Sequence, residues 1–290
     1  MVDTVNCWVP PHPLAEVFGY PIDNHGREAQ LARDGNLCPF HNRVPECTKN
    51  SVDKPLGVCS IYSRDQVVIT CPIRFRENWL VVEDVAQFFF PSESLWTFLT
   101  EVRLTDADGR SAGNIDMVLV SYDQAGKVLD FGALEIQSVY ISGNVTNPFE
   151  SYMSDTHNAA AFKWNDSHTY PRPDFLSSSR KRLAPQLTSK GGILNAWGKK
   201  IAVALDEPFY ATLPSLPEVS PEVAEVAWLI YGLELDTISN RYVLQQKKMV
   251  YTMFDASLNR ISTSRPGHVS TFEEKLSSKL RDKLQRGNAP

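Results

Sequence analysis

No stretch of this 290-residue chain approaches the roughly 20 consecutive apolar residues that a membrane-spanning helix requires, which argues against a helical membrane span. The opening residues, MVDTVNCWVPPHPLAEVFGY, lack a basic segment followed by an apolar one, so they do not read as a secretory leader; a cytoplasmic protein is expected. A surplus of positive charge is missing as well: 29 Lys and Arg stand against 34 Asp and Glu, for a net charge of −5. That weighs against a protein that coats nucleic acid regardless of sequence, which needs cations to displace the counterions of the phosphates. It leaves open a sequence-specific binder with its positive charge confined to one cleft. Cysteine is absent after residue 71. All five (Cys7, Cys38, Cys47, Cys59 and Cys71) lie in the first quarter of the chain. In a reducing compartment such a cluster points to a metal rather than to disulfides.

What remains is ordinary for a folded soluble protein: 42% hydrophobic and 22% charged residues, with length enough for one large domain or two modest ones. Helix signals occupy PLAEVFGY and NHGREAQLARDG, with Asn24 placed to cap and Gly35 to terminate. GVCSIYS and QVVITC read as strands around a turn at Arg64 and Asp65. RENWLVVEDVAQFFF has the apolar spacing of a helix with one face on a core. SLWTFLTEVRLTD, GNIDMVLVSYD and VLDFGALEIQSVY read as strands. NPFESYMSDTHNAAAFKW reads as a helix, WNDSHTYPRPD as a loop, and DFLSSSRKRLAPQLTSKGGILNAWG as mixed helix and loop. KKIAVALDEPFY, AEVAWLIYGLELD and RYVLQQKKMVYTMF add three strands. TFEEKLSSKLRDKLQRG, with Leu276, Leu280 and Leu284 at helical spacing, reads as an amphipathic surface helix. Runs of strands and helices in this order predict an α/β protein with a mixed sheet flanked by helices.

Two of these strands carry carboxylates where Val, Leu or Ile would pack better. Alternation puts Ala133, Glu135, Gln137 and Val139 on one face, and Leu134 and Ile136 on the other. Asp116 interrupts NIDMVLV in the same way, and hairpin pairing lets Asp116 and Glu135 converge. Each alone reads more readily as an edge or solvent-facing strand residue. Together they repel each other and carry a desolvation penalty, both of which a divalent cation offsets. Oxygen ligands select hard cations, and Mg²⁺ suits a substrate that brings phosphate oxygens.

The four later cysteines are spaced Cys-x8-Cys-x11-Cys-x11-Cys. Thiolates favour zinc or iron in a closed tetrahedral shell, which leaves no open position and implies a structural role. The competing reading is four small buried hydrophobes. Cys7 stands outside the set as a spare thiol. His41 reads as a surface or loop residue or a phosphate contact.

An Asp followed at a distance by Glu-x-Lys is the mark of the PD-(D/E)xK nucleases. Here the motif is E-I-Q, with Gln137 where the Lys would stand. That variation, downstream of four cysteines, resembles the NotI-type restriction endonucleases over roughly residues 30–140. The resemblance implies a restriction-endonuclease-like α/β fold with an N-terminal four-cysteine module (residues 1–75) and a nuclease domain (76–290). It implies that Asp116 and Glu135 bind Mg²⁺ and that Gln137 orients the attacking water. Glu101, in LTEVRL, would support a second metal or a water. Cys38, Cys47, Cys59 and Cys71 would hold iron, although zinc satisfies the same ligands. The substrate would be double-stranded DNA with a GC-rich palindrome, cut by a homodimer, one strand per subunit. Basic residues following the catalytic strands (Lys163, Arg172, Arg180, Lys181, Arg182, Lys190, Lys199 and Lys200) are candidates for phosphate or guanine contacts. SSSRKRL is the densest group, and Arg172 is stiffened by its flanking prolines; a solvated helix face is the plain alternative for the cluster. Two rivals remain at this stage: a repair or junction nuclease of the same fold, and a non-enzymatic DNA-binding or redox metalloprotein.

Overall fold

The computed structural model describes residues 12–42, 44–51, 53–158, 169–264 and 266–285. Near the N-terminus β1 (Leu14–Val17), β2 (Tyr20–Pro21), β3 (Val58–Ser63) and β4 (Gln66–Ile69) form a four-stranded sheet in the order β2-β1-β3-β4, with α1 (Arg27–Asp34) between β2 and β3. After α2 (Leu80–Phe89) come β5 (Trp96–Thr105), β6 (Ser111–Tyr122) and β7 (Val128–Gln137). A small pair, β8 (Tyr140–Ser142) and β9 (Arg172–Asp174), brackets α3 (Thr146–Ser154). A helical run over residues 175–196, here α4, leads to β10 (Ile201–Asp206) and α5 (Glu207–Tyr210). The chain continues with β11 (Val226–Asp236), β12 (Arg241–Thr252), α6 (Phe254–Ser262) and α7 (Val269–Gln285).

The larger sheet has six strands in the order β12-β11-β10-β7-β6-β5. Its centre is parallel, β7 with β10 and β10 with β11, while its flanks are antiparallel. The inner strands are continuous apolar runs because parallel strands are covered on both faces; all six residues of β10 are buried. The edge strand β5 instead alternates exposed and half-buried positions over most of its length. The alternation read from β7 holds. Ala133 and Val139 join one core with Leu183, Leu187 and Leu194 of α4, whereas Leu134 and Ile136 join the other with Val81, Val82 and Val85 of α2. The chain is therefore a mixed α/β protein with a mixed sheet between helices, a layout compatible with a nuclease.

Four local expectations fail. PLAEVFGY contains the strand β1, not a helix: Leu14–Val17 are all buried, so the segment has no polar face to offer water. Asn24 does not cap α1 but accepts from the Gly26 N–H at 2.9 Å, and Gly26 itself is the N-cap; Gly35 closes the helix as expected. Residues 175–196 are not mixed helix and loop but one run, α-helical at Phe175–Ser178, Ala184–Gln186 and Gly192–Ala196 and π-helical at Ser179–Leu183 and Leu187–Gly191. Pro185 survives inside it because it sits in the first turn of an α segment entered from a wider π turn, where its missing N–H matters least. The expected loop WNDSHTYPRPD also ends in a strand, β9.

The small sheet is fastened to the large one where β7 and β10 end. Val139 N–H donates to the Ile69 carbonyl at 3.1 Å, and Ile69 N–H donates to Oδ2 of the buried Asp206 at 3.0 Å. One apolar core contains Leu14, Val58 and Ile61 from the small sheet together with Val203 and Trp228 from the large one. A buried Arg74 bridges Glu16 of β1 (Nε to Oε1, 3.1 Å), Glu77 (2.7 Å) and the Tyr242 carbonyl of β12 (2.8 Å).

Candidate active site

Strand register brings three carboxylates into one row. Thr100 faces Met117 and Val102 faces Ile115, so Glu101 stands at the rung of Asp116. Met117 faces Leu134, which puts Asp116 beside Glu135 on the next rung. Glu101 departs from strand geometry, with a left-handed φ of 56°, a strained conformation for a residue with a side chain. Its carboxylate is exposed and accepts from Asn114 Nδ2 at 3.5 Å. Asp116 Oδ2 accepts from the Ile136 N–H at 2.8 Å, which ties it to the strand that carries Glu135.

Burial raises the Asp116 pKa; the Ile136 N–H and the Lys190 charge oppose that, Glu101 adds to it, and Arg182 opposes it further. Glu135, 5% exposed, is pushed up to about 7, first by burial and then by the Asp116 charge. The Asp116 charge thus makes Glu135 harder to ionise, and the Glu101 charge does the same to Asp116, the signature of a site that wants a cation. Gln137, 1% exposed, donates through Nε2 to Oε1 of Gln186 on α4. Its own Oε1 is buried and has no partner among the described residues.

The cation present in the site is one whose role the sequence did not disclose. Lys190, in the π-helical turn Leu187–Gly191 of α4, is 5% exposed. Its Nζ lies 2.7 Å from both carboxylate oxygens of Glu135 and 2.7 Å from the Asn114 carbonyl. A signal for it was available: Leu183, Leu187, Lys190 and Leu194 recur at the spacing of one helix face, and a lysine on an apolar stripe has to be matched by a buried acceptor.

The other basic candidates divide. Arg182 lies over the Tyr140 ring, 5.2 Å from its centroid, near enough to Asp116 to favour its charged form. Arg180 and Lys181 are exposed, and Arg180 lines a groove of about 1250 Å³ bordered by Thr188, Pro214 and Arg260. Arg172 is exposed on β9. Lys199 is paired with Asp130 at 2.6 Å, and Lys200 donates to the Phe88 carbonyl at 2.8 Å. Lys163 and Cys7 lie outside the described residues.

Cys38, Cys47, Cys59 and Cys71 line one small cavity with Phe18, Phe40 and His41. His41 is therefore half-buried beside the thiols rather than a plain surface residue, and its Nδ1 accepts from the Val44 N–H at 3.4 Å. Burial raises the Cys38 thiol to about 11 and holds those of Cys47 and Cys59 up as well, with neighbouring cysteine charges adding to the effect. As placed, the four thiols are not a ready tetrahedral shell. Among the described residues no three His, Cys, Asp or Glu side chains gather closely enough to hold a metal. The structure thus shows the four thiols sharing one cavity and not a preformed iron or zinc centre. The carboxylate row likewise holds no such group of three, and within it Glu135 is paired with Lys190.

A family model, restriction endonuclease NotI, matches residues 16–244, a span that includes every strand of the large sheet down to the middle of β12. No curated protein matches the chain. The chain belongs to the NotI restriction endonuclease family, and so is a type II site-specific deoxyribonuclease acting on double-stranded DNA.

Proposed function

We propose that this endonuclease hydrolyses phosphodiester bonds at a GC-rich palindrome in a Mg²⁺-dependent reaction, with Asp116 and Glu135 as the metal ligands. The observation that carries the reading is the pair itself: the buried Glu135 beside the half-buried Asp116 of the neighbouring strand, whose charge makes Glu135 harder to ionise. The donor set fits the ion, since hard oxygen ligands with unmet negative charge suit magnesium. Bound there, magnesium supplies a Lewis acid for the attacking water and for the charge that builds on the phosphoryl group and the departing 3′ oxygen.

The chain's own residues do the rest. Ile136 N–H fixes the angle of Asp116. The unpartnered Oε1 of Gln137, on the Glu135 face of β7, accepts a hydrogen bond from the attacking water and aims its oxygen at phosphorus. Glu101, at the outer end of the row, holds a further water or a second cation. The water oxygen bonds to phosphorus as the P–O3′ bond breaks. The water's proton leaves to solvent, and the 3′ oxygen takes one up. Residues 76–290 carry this chemistry, and residues 1–75 brace it through Ile69 and Arg74.

Arg172, Arg180, Lys181 and Arg182 are assigned to DNA, the exposed ones to phosphates or guanine edges in the groove. A palindrome calls for a homodimer. Cys38, Cys47, Cys59 and Cys71 would hold iron or zinc, a reading supported by the one cavity they line. The test is digestion of a plasmid of known sequence with and without Mg²⁺, followed by sequencing of the ends. Discrete fragments with identical ends at symmetric sites, only with the metal, are expected; a smear, or cutting that persists in chelator, overturns the reading.

A further inference from the structure

We propose that Lys190 is a catalytic residue of this nuclease, an ammonium delivered from α4 in place of the lysine that E-I-Q lacks, and that it contacts the attacking water and a scissile phosphate oxygen. The inference rests on the carboxylate reading above.

The strand position where the sheet would supply a cation holds Gln137, which has no charge. The charge arrives from a different element, 55 positions along the chain from Glu135. The two contacts from α4 fit the two motif residues in turn: Lys190 meets Glu135, and Gln186, one helical turn earlier, meets Gln137. A purely structural explanation is weak. Burying an ammonium on an apolar stripe is costly, and a leucine at position 190 would continue the stripe of Leu183, Leu187 and Leu194. π-Helical turns recur at functional sites because they redirect one side chain out of α-helical register, and Lys190 lies within one. The ammonium also has a spare capacity suited to the role. It spends two contacts on the two oxygens of a single carboxylate. Giving up one of them frees a donor for a phosphate oxygen or water while the Asn114 carbonyl keeps the side chain in place. Its positive charge then stabilises the extra negative charge that develops on the phosphoryl oxygens.

The test compares the parent with Lys190→Met, Lys190→Gln and Asp116→Ala on a plasmid that the parent cuts, in single-turnover format with Mg²⁺. Mn²⁺ affinity of the DNA-free proteins, read by the paramagnetic signal, is the second measurement. Lys190→Met is expected to cut about a thousandfold more slowly, while binding Mn²⁺ as tightly as the parent or about threefold more tightly, since a competing cation has left Glu135. Lys190→Gln keeps donors for Asn114 and Glu135 without the charge, and is expected to lose the same rate; it decides the matter if the Met variant does not fold. Cutting within tenfold of the parent by either folded variant, with Asp116→Ala inert, overturns the role of Lys190 alone. Mn²⁺ affinity lowered about tenfold in both variants overturns it too, since Lys190 would then merely hold the carboxylates in shape. An Asp116→Ala protein that cuts like the parent overturns the underlying carboxylate reading, and the Lys190 proposal with it.

Discussion

Asp206 should impose a pH dependence on folding that a single substitution removes. It ends β10, is 1% exposed, and accepts from Ile69 N–H through Oδ2 (3.0 Å) and from Phe209 N–H through Oδ1 (3.2 Å). Burial outweighs these hydrogen bonds and raises its pKa from 3.8 to about 7. The unfolded chain releases this proton near 3.8 and the fold releases it near 7. Between those values the folded state binds the more protons, so this group's contribution to stability falls as pH rises through the window. Below it the penalty is absent, and above it the penalty is complete. Three pH units at about 1.4 kcal/mol each make that penalty about 4 kcal/mol. Asp206→Asn removes the titration, although one acceptor is lost and an amide N–H₂ then faces a backbone donor, a pH-independent cost of about 1–3 kcal/mol. Urea unfolding of both proteins from pH 4 to 8 isolates the effect. The parent-minus-variant free energy should fall by about 4 kcal/mol across pH 4–7 and stay level above it. A difference that stays within about 1 kcal/mol over the whole range would falsify the claim that desolvation dominates at Asp206. Because Asp206 pins the β4 backbone to β10, the same titration measures how firmly the small sheet is held beside Gln137.

Arg74→Met should cost about 3–5 kcal/mol, because it strands the fully buried Glu16 without its counter-charge; urea midpoints check this, and no loss of stability would show the network to be ornamental. Gly132→Ala would set a Cβ 2.5 Å from the Phe89 ring on the opposite face of β7 from Glu135, so a loss of about 1–3 kcal/mol is expected in thermal melts. Cys59→Ser should lower bound iron or zinc, counted per chain by elemental analysis, to near zero; unchanged stoichiometry would remove Cys59 from the metal's ligands.

The E-I-Q strand was legible because a strand's period of two is short enough to survive in local sequence. Putting Glu135 and Gln137 on one face and Leu134 and Ile136 on the other needed nothing beyond alternation. The central strands were legible for a related reason, since burial on both faces leaves an unbroken apolar run such as IAVAL. Length defeated the reading at Leu14–Val17. Four buried residues fit a helix and a strand equally well, and only the pairing with β3, some 44 residues later, decides between them. The 175–196 run was misread because Pro185 and the Ser and Gly clusters normally break helices, while the π turns that absorb them leave no residue-level mark.

The deeper failure concerned charge. A reading along the chain counts a carboxylate as unmet when its neighbours in sequence are apolar, and so it assigned all the missing positive charge at Asp116 and Glu135 to a metal ion. Lys190 was grouped with the DNA-contacting cations because its sequence neighbours, Thr188, Ser189 and Gly191, look like a solvated turn. The fold puts it on Glu135, one of those two carboxylates. Two ionised carboxylates carry more negative charge than one ammonium cancels, and the pKa of Glu135 stays near 7 even with Lys190 in contact. On the proposed reading, the uncancelled charge leaves room for a divalent cation beside the lysine, so that the two are complements in one site rather than competing explanations of it.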